Sequence, residues 1–198
     1  DLERNKFYEM NKKRENEKSA YSSYEDFLKS LDMQAEIDFI KPIYTDRIAQ
    51  LTNKTNQFNL TTKRYTLSDI ENISKDSNKI IIYGRLKDKF GDNGLITIII
   101  GKIKEKNLHI DLWLMSCRVL KRDMEKAMLD FLVEYCNKNN IENIYGYYYK
   151  TAKNDMVKNH YLELGFECLE KNDSDSRWVL EVKNIRERKN KVIKIGEY

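Results

Sequence analysis

The sequence predicts a mixed α/β domain in which a mostly antiparallel sheet is flanked by helices. Residues 80–83 and 96–100 are nearly continuous apolar runs, which indicates strands covered on both faces. A third strand, over residues 108–115, leads into an amphipathic helix. The helix has apolar residues at i, i+3, i+4, i+7, i+8 and i+11, namely Met124, Ala127, Met128, Phe131, Leu132 and Tyr135. Because another strand follows at 144–149, we predict antiparallel strands first and then a crossover through this helix.

Local signals define the remaining elements. Ser22 or Ser23 can cap a helix over residues 24–31, and Thr66 starts another short helix with Asp69 in its first turn. Pro42 ends a strand over 35–40, and Gly165 ends a helix over 154–164. We also predict a helix over 44–56, an extended stretch over 60–65, a hairpin turn over 88–94, and a final strand pair over 166–169 and 177–182.

The composition fits one globular domain with an appendage. Of 198 residues, 40% are apolar and 34% are charged, and 36 basic against 32 acidic residues give a net charge of +4. This balance lacks the one-sided basic character of a dedicated nucleic-acid binder. No apolar run approaches the roughly 20 residues that span a bilayer, and residues 1–6 are too polar for a signal peptide. We therefore expect a cytoplasmic protein with neither nucleic acid nor membrane as a partner.

The three cysteines are Cys117, Cys136 and Cys168. Their odd number and the absence of a CxxC pair argue against a disulfide framework and against a zinc site. No metal is predicted.

The joint between strand 108–115 and the following helix is the main candidate site. The positive end of a helix attracts anions and favours the thiolate form of a nearby cysteine, and Cys117 lies at this joint. Cys117 is therefore a candidate nucleophile that holds an acyl group as a thioester, with backbone N–H groups stabilising the oxyanion. The alternative is a buried, unreactive cysteine, which is the role expected of Cys136 and Cys168.

Several segments resemble a known family. The element order, together with Asn154 and the run from Tyr161 to Phe166, resembles the GNAT acyltransferase fold. Four segments resemble, more specifically, the FkbH-like family: the run from Gln50 to Thr62, Asp92-Asn93-Gly94, the run from Trp113 to Leu120, and Thr151-Ala152-Lys153-Asn154. Members of that family join an N-terminal HAD-type phosphatase to a C-terminal GNAT-like domain. They are associated with glyceryl-type units on acyl carrier proteins for polyketides.

The resemblance implies a domain organisation and a function. Residues 1–30 would be a junction helix after a missing phosphatase domain, residues 31–183 the GNAT-like domain and residues 184–198 a basic tail. The start at Asp1 rather than methionine fits a fragment of a longer protein. The implied activity is transfer of a small acyl group on the pantetheine thiol of an acyl carrier protein in polyketide-type biosynthesis. Basic residues in 183–194 would steer an acidic carrier.

The resemblance also implies a cofactor loop. Acyltransferases of this fold wrap the pyrophosphate of coenzyme A with an Arg/Gln-x-x-Gly-x-Gly loop, whose glycines allow close approach of backbone N–H groups. Here Lys121 and Asp123 stand where glycines are expected, and Asp123 would cap its own helix instead. Coenzyme A or carrier-protein phosphopantetheine would contact Met115, Arg118, Val119, Leu120, Lys121, Arg122 and Asp123.

Two residues of the helix predicted over 154–164, Asn154 and Tyr161, complete the implied site. Tyr161 stands where GNAT enzymes often keep a tyrosine that protonates the departing thiolate, a role that suits a phenol. It also lies on the apolar stripe with Val157 and Leu164, so packing is the alternative. Asn154 would contact a pantetheine arm or cap its helix.

Amide and hydroxyl side chains form the predicted substrate site: Asn56, Gln57, Asn59, Thr61 and Thr62. The same residue types also build capped turns. Asp111 would line the cleft or pair with a cation, and His109 is too far along its strand to pair with Cys117. Two other functions stay open, namely a non-catalytic module that docks the carrier and a coenzyme A-dependent N-acetyltransferase.

Overall fold

The computed structural model describes residues 1–196 and residue 198. Its strands are β1 (Gln34–Phe39), β2 (Lys79–Asp88), β3 (Gly91–Lys104), β4 (Asn107–Met115), β5 (Asn143–Tyr149), β6 (Glu167–Lys171), β7 (Asp175–Glu181) and β8 (Lys194–Ile195). The described residues form one eight-stranded sheet in the order β6-β7-β5-β4-β3-β2-β1-β8. Neighbouring strands run antiparallel except in two pairs, β4 with β5 and β1 with β8. The predicted mostly antiparallel sheet is therefore confirmed.

The helices are α1 (Leu2–Lys18), α2 (Tyr24–Ser30), α3 (Thr45–Lys54), α4 (Leu67–Ser74), α5 (Met124–Lys138) and α6 (His160–Glu163). Two start signals are confirmed. Ser23 accepts a hydrogen bond from the Asp26 N–H, and Thr66 and Asp69 form a reciprocal capping box. A short 3-10 turn, Cys117–Val119, links β4 to α5.

The helices cover the sheet on two faces. On one face, α3 and α4 bury Ile48, Leu51 and Ile70 against β2, β3 and β4. On the other face, α5 buries Met128 and Leu132 in a larger core that also includes residues of α2, α6 and the outer strands. Burial on both faces is the reason that β2 and β3 consist of near-continuous apolar runs.

Several boundaries differ from the sequence predictions. The helix predicted over 154–164 is a 3-10 turn, Asp155–Val157, followed by the four-residue α6. The hairpin predicted over 88–94 is shorter, because β2 continues to Asp88 and β3 begins at Gly91. The stretch 60–65 contains no strand, and Asn59 instead forms an isolated bridge to Leu114.

The C-terminal segment packs against the domain, although the sequence suggested a tail. The carboxylate of Asp130 on α5 accepts hydrogen bonds from the backbone N–H groups of Lys189 and Asn190. The Lys194 N–H donates to Met33 O at 3.0 Å, and Lys194–Ile195 then pairs with β1. Sequence reasoning missed this strand because only two residues pair.

The two central parallel strands diverge, which positions the candidate site. β4 and β5 pair only where Asn107–His109 faces Asn143–Tyr145. Beyond this point β4 follows β3 as far as Met115, and β5 follows β7 as far as Tyr149. A gap therefore opens between the carboxyl ends of β4 and β5.

Candidate functional site at the carboxyl end of strand β4

Cys117 lies directly after β4, in the turn that leads to α5. Ser116 begins this turn, and its hydroxyl accepts a hydrogen bond from the Arg118 N–H at 3.3 Å. The Cys117 side chain is exposed, and its thiol donates to Gln57 Oε1 at 3.1 Å. The thiol is therefore both held and open to solvent, whereas Cys136 is buried.

A cavity of about 670 Å³ opens beside Cys117 and Gln57. Four basic side chains line it, namely Arg47, Lys54, Arg118 and Lys153, and none of the acidic side chains that the structure describes does. Among the described residues, none of these four forms an ion pair with a carboxylate. We call this cavity the cationic pocket.

The cations of the pocket influence one another. Partial burial and repulsion from Arg118 lower the pKa of Arg47, and Glu3 acts weakly in the opposite direction. Like charges that lack carboxylate partners favour an anionic ligand. Sequence reasoning missed Arg47, Lys54 and Lys153. The spacing of Arg47 and Lys54, seven residues apart on one face of α3, was the available signal.

The loop before α5 keeps a glycine-like backbone without glycines. Lys121 has φ 61° and Asp123 has φ 66°, both in the left-handed region that glycine occupies most easily. Asp123 is the N-cap residue of α5, but its side chain makes no capping hydrogen bond. The expectation that Asp123 caps its own helix was therefore wrong. The backbone of Asp123 is left-handed, and its carboxylate lies 3.3 Å from Lys126 Nζ instead.

The charged side chains of this loop differ in exposure, since Arg118 and Lys121 are exposed and Arg122 is buried. Arg122 is buried, donates to Arg118 O at 2.8 Å, and lies 3.5 Å from the Asp88 carboxylate. Arg14 of α1 reaches the same carboxylate with two hydrogen bonds of 2.6 and 2.8 Å. Burial, then repulsion from Arg14, lowers the pKa of Arg122 to about 10, and Asp88 opposes this shift. Arg118 stacks on the Phe7 ring at 3.8 Å.

The three apolar residues predicted for this loop are packed, and a carboxylate that was not predicted lies beside it. Met115 and Val119 are buried and Leu120 packs against the core. Glu125 in the first turn of α5 adds a second carboxylate beside Asp123, and burial raises the pKa of Glu125. Side chains at the two left-handed positions, a buried Arg122 and two carboxylates at the helix start do not fit the phosphates of coenzyme A.

Tyr161 lies in the core. Its side chain is 1% exposed, its ring is 4.9 Å from that of Phe166, and it covers the Cα of Gly146. Burial raises the pKa of Tyr161 above its usual range. Its hydroxyl makes no hydrogen bond of good geometry among the described residues, although the Tyr147 backbone is near. The predicted catalytic role of Tyr161 stays a prediction.

The predicted substrate residues fall into two groups. Asn56 and Gln57 line the cationic pocket, and the side-chain Oδ1 of Asn56 accepts a hydrogen bond from Arg64. Asn59 and Thr61 face inward, toward the gap between β4 and β5. Asn154, predicted to bind cofactor, joins this second group, because its amide donates to Asn59 O at 2.9 Å.

The remaining candidates lie apart from Cys117. Asp111 is 3.8 Å from Lys63 Nζ, so it does pair with a cation, and its backbone oxygen accepts from Thr61. The Thr62 hydroxyl is buried without a partner among the described residues. His109 Nδ1 is 2.7 Å from the Tyr147 hydroxyl, and its ring stacks on Tyr145.

A second cavity, of about 690 Å³, lies at the opposite end of β4 and β5, near Lys106 and Asn140. Its only thiol is Cys136, and burial raises the pKa of that group to about 12. It contains none of the predicted site residues. The described residues also contain no cluster of three metal-ligating side chains. No helix among them has both the length and the apolar character that a membrane crossing requires.

Comparison with known proteins identifies the fold. No protein-family model matches the sequence, and no curated protein matches it significantly. Among solved structures, the Escherichia coli ribosomal-protein-S18-alanine N-acetyltransferase aligns with a TM-score of 0.57 at 10% identity, over 77% of this chain and 99% of that one. The PaiA N-acetyltransferase of Thermoplasma acidophilum, in complex with coenzyme A, gives 0.53 at 15% identity over 75% and 99%.

A plant enzyme gives the same result. Arabidopsis thaliana NAA60, in complex with a bisubstrate analogue, aligns with a TM-score of 0.57 at 16% identity, over 75% of this chain and 99% of that one. Identities this low establish the fold alone. The chain has a GNAT acetyltransferase fold, as the sequence predicted.

Proposed function

We propose that this domain transfers a small acyl group between Cys117 and the pantetheine thiol of an acyl carrier protein. The observation that carries the proposal is the exposed Cys117 thiol beside the cationic pocket. A nucleophile must be reachable and oriented, and the hydrogen bond to Gln57 orients this one. Cys136 is buried, and Cys168 on β6 is exposed but lines none of the larger cavities described above.

The chemistry is a thiol–thioester exchange. The Cys117 thiol releases its proton to solvent, and the resulting thiolate attacks the carbonyl carbon of the carrier-bound thioester. A new C–S bond to Cys117 forms, the C–S bond to the pantetheine sulfur breaks, and the departing thiolate takes a proton from solvent. The exchange is reversible, so the same step in reverse loads a carrier.

The charge around Cys117 suits an acidic partner. Arg47, Lys54, Arg118 and Lys153 carry positive charge without carboxylate partners among the described residues. Such a surface steers an acidic carrier protein, and the attraction weakens as salt is added. Basic residues within 183–194 do not line this pocket, and Lys183 lines the cavity at the opposite end of β4 and β5, so we propose them as a separate contact for the carrier. Carrier binding that does not change with ionic strength would contradict this part of the proposal.

The finer identity rests on the resemblance to the FkbH-like family. Gln57 and Cys117, which lie in two of the resembling segments, are hydrogen-bonded to each other. We infer that the acyl group is of the glyceryl type, that an N-terminal HAD-type phosphatase domain is the natural partner, and that polyketide biosynthesis in the cytoplasm is the setting. A coenzyme A-dependent N-acetyltransferase is not proposed, because the loop before α5 does not fit the phosphates.

Intact-mass spectrometry after incubation with an acylated carrier protein tests the proposal. We expect a mass gain equal to one acyl group, lost in Cys117→Ala and retained in Cys168→Ala, which removes the other exposed thiol. Hydroxylamine should release the group, since it cleaves thioesters. A mass gain that persists in Cys117→Ala would overturn the assignment.

A second candidate function is a non-catalytic module that docks the carrier. The burial of Arg122 and Tyr161, two residues that the resemblance places in the cofactor and catalytic sites, favours it. This candidate predicts salt-sensitive carrier binding with no mass gain on any cysteine. The same two measurements therefore separate the candidates.

A further inference from the structure

The gap between β4 and β5 is where a ligand of this sheet would be expected. In open α/β sheets, ligands bind outside the carboxyl ends of parallel strands, at the point where the strand order reverses. β4 and β5 are parallel, adjacent and splayed at their carboxyl ends. The gap also adjoins the loop that leads into α5, so a ligand anchored at the start of α5 would extend into it.

Here a segment of the chain itself occupies the gap. Residues 58–61, which we call the internal strand segment, are between 0 and 8% exposed. The Leu60 N–H donates to Trp113 O at 3.0 Å, and the Met115 N–H donates to Phe58 O at 3.0 Å. On the other side, the Tyr149 N–H donates to Leu60 O at 2.8 Å. The segment therefore joins both strands by backbone hydrogen bonds.

Side chains fix the internal strand segment in place. The Asn154 amide is fully buried and donates to Asn59 O and to Tyr149 O, each at 2.9 Å. Its oxygen accepts the Thr151 N–H at 2.8 Å. The Thr61 hydroxyl donates to Asp111 O at 2.7 Å. These polar groups of the gap have partners within the protein, which is the opposite of a prepared ligand site.

We infer that the internal strand segment takes the place of a ligand arm in this sheet, so that the gap between β4 and β5 binds neither coenzyme A nor any other thiol cofactor arm. It acts as an added strand does in β-augmentation, but from the same chain. A substrate then reaches Cys117 only through the cationic pocket beside α3, a consequence that rests on the proposed function.

Hydrogen exchange on the full chain, followed by NMR, tests the inference. The amide protons of Leu60, Met115 and Tyr149 should exchange as slowly as those in the centre of β3, because they are bonded and buried. Millimolar coenzyme A should leave these rates unchanged and should produce no shift changes in the gap. Faster exchange at Leu60 on addition of coenzyme A would show displacement and overturn the inference.

Two variants test the fixing contacts. Asn154→Ala should accelerate exchange at Leu60 and Tyr149 by roughly tenfold or more relative to the β3 amides. Asn139→Ala, which removes an exposed side-chain hydrogen bond at the end of α5, is the control and should change neither rate. If Asn154→Ala does not fold, Thr61→Val removes a single hydrogen bond and should accelerate Leu60 exchange less. Unchanged rates in a folded variant would also overturn the inference.

The result is separable from the acyl transfer proposed above. A closed gap together with no mass gain at Cys117 would leave the inference standing and remove the proposed function. An open gap that binds coenzyme A, together with a Cys117-dependent mass gain, would do the reverse.

Discussion

Two regions adjoin the carboxyl end of β4, namely the cationic pocket and the gap between β4 and β5. They differ in whether their charged and polar groups have partners within the protein. On the pocket side, Arg47 and Arg118 lie near each other without a carboxylate partner in the described part of the chain, and the Cys117 thiol is exposed. Away from the pocket, Arg122 of the same loop is paired with the buried Asp88 carboxylate of β2, and residues 58–61 fill the gap between β4 and β5. The cationic pocket is therefore suited to an anionic ligand, whereas the gap is filled by the protein itself.

The contrast shows that the shape of a fold does not determine which of its openings can take a ligand. The splayed strands, the left-handed loop and the start of α5 are all present, but the groups that face each opening decide what can bind there. Function must therefore be argued from the pocket side, where unpaired groups remain, and not from the fold.

The largest expected effect comes from breaking the buried ion cluster of Arg14, Asp88 and Arg122. Asp88→Ala should lower the free energy of unfolding by about 3–5 kcal/mol, because it leaves two buried guanidinium groups, Arg14 and Arg122, without their carboxylate. Urea denaturation measures the change. Glu142→Ala, which breaks an exposed pair with Lys106, should cost less than about 1 kcal/mol. Equal costs would show that the buried cluster stabilises the protein no more than an exposed ion pair does.

A smaller effect on stability should come from protonating His160, which packs against Phe58 of the segment that fills the gap. His160 contacts Trp113 and Phe58 by edge-to-face packing, and burial lowers its pKa from 6.5 to about 3. Between these pH values the unfolded chain binds a proton that the folded chain does not, so stability is full above pH 6.5 and falls as the pH decreases. Lowering the pH from 7 to 5 should cost about 2 kcal/mol from this group.

Thermal or urea unfolding as a function of pH measures this loss. His160→Leu removes the titrating ring while keeping an apolar side chain, so its stability should depend less on pH than that of the wild type over the same range. Parallel pH profiles for the two proteins would mean that His160 is more exposed to water than the packing around it indicates.

Local patterns were sufficient to predict most of the fold from the sequence. The apolar runs of β2 and β3, the spacing from Met124 to Tyr135, and the caps at Ser23 and Thr66 each depend on neighbours within a few residues. The cysteine at the joint was also visible, because a strand ending at Met115 and a helix beginning at Met124 bracket it.

The filling of the gap by residues 58–61 could not be predicted from the sequence, because it depends on contacts between distant segments. Leu60 pairs with Trp113 and Tyr149, and Asn154 reaches back to Asn59. The same is true of the cluster formed by Arg14, Asp88 and Arg122. The backbone at Asp123 was misjudged for a different reason. Its residue type is a good helix cap, but its left-handed conformation accompanies a side chain that makes no capping bond.

The smallest expected effect concerns the loop itself and separates its sequence from its surroundings. The double substitution Lys121→Gly and Asp123→Gly restores glycine at both left-handed positions. Relief of backbone strain is offset by the greater freedom of glycine in the unfolded chain, so stability should change by no more than about 1 kcal/mol. Calorimetric titration should still detect no coenzyme A binding, because residues 58–61 continue to fill the gap and Arg122 stays paired with Asp88. If the two glycines alone confer micromolar binding, the side chains at positions 121 and 123 are the barrier, and the difference between the two sides of β4 reduces to two residues of one loop.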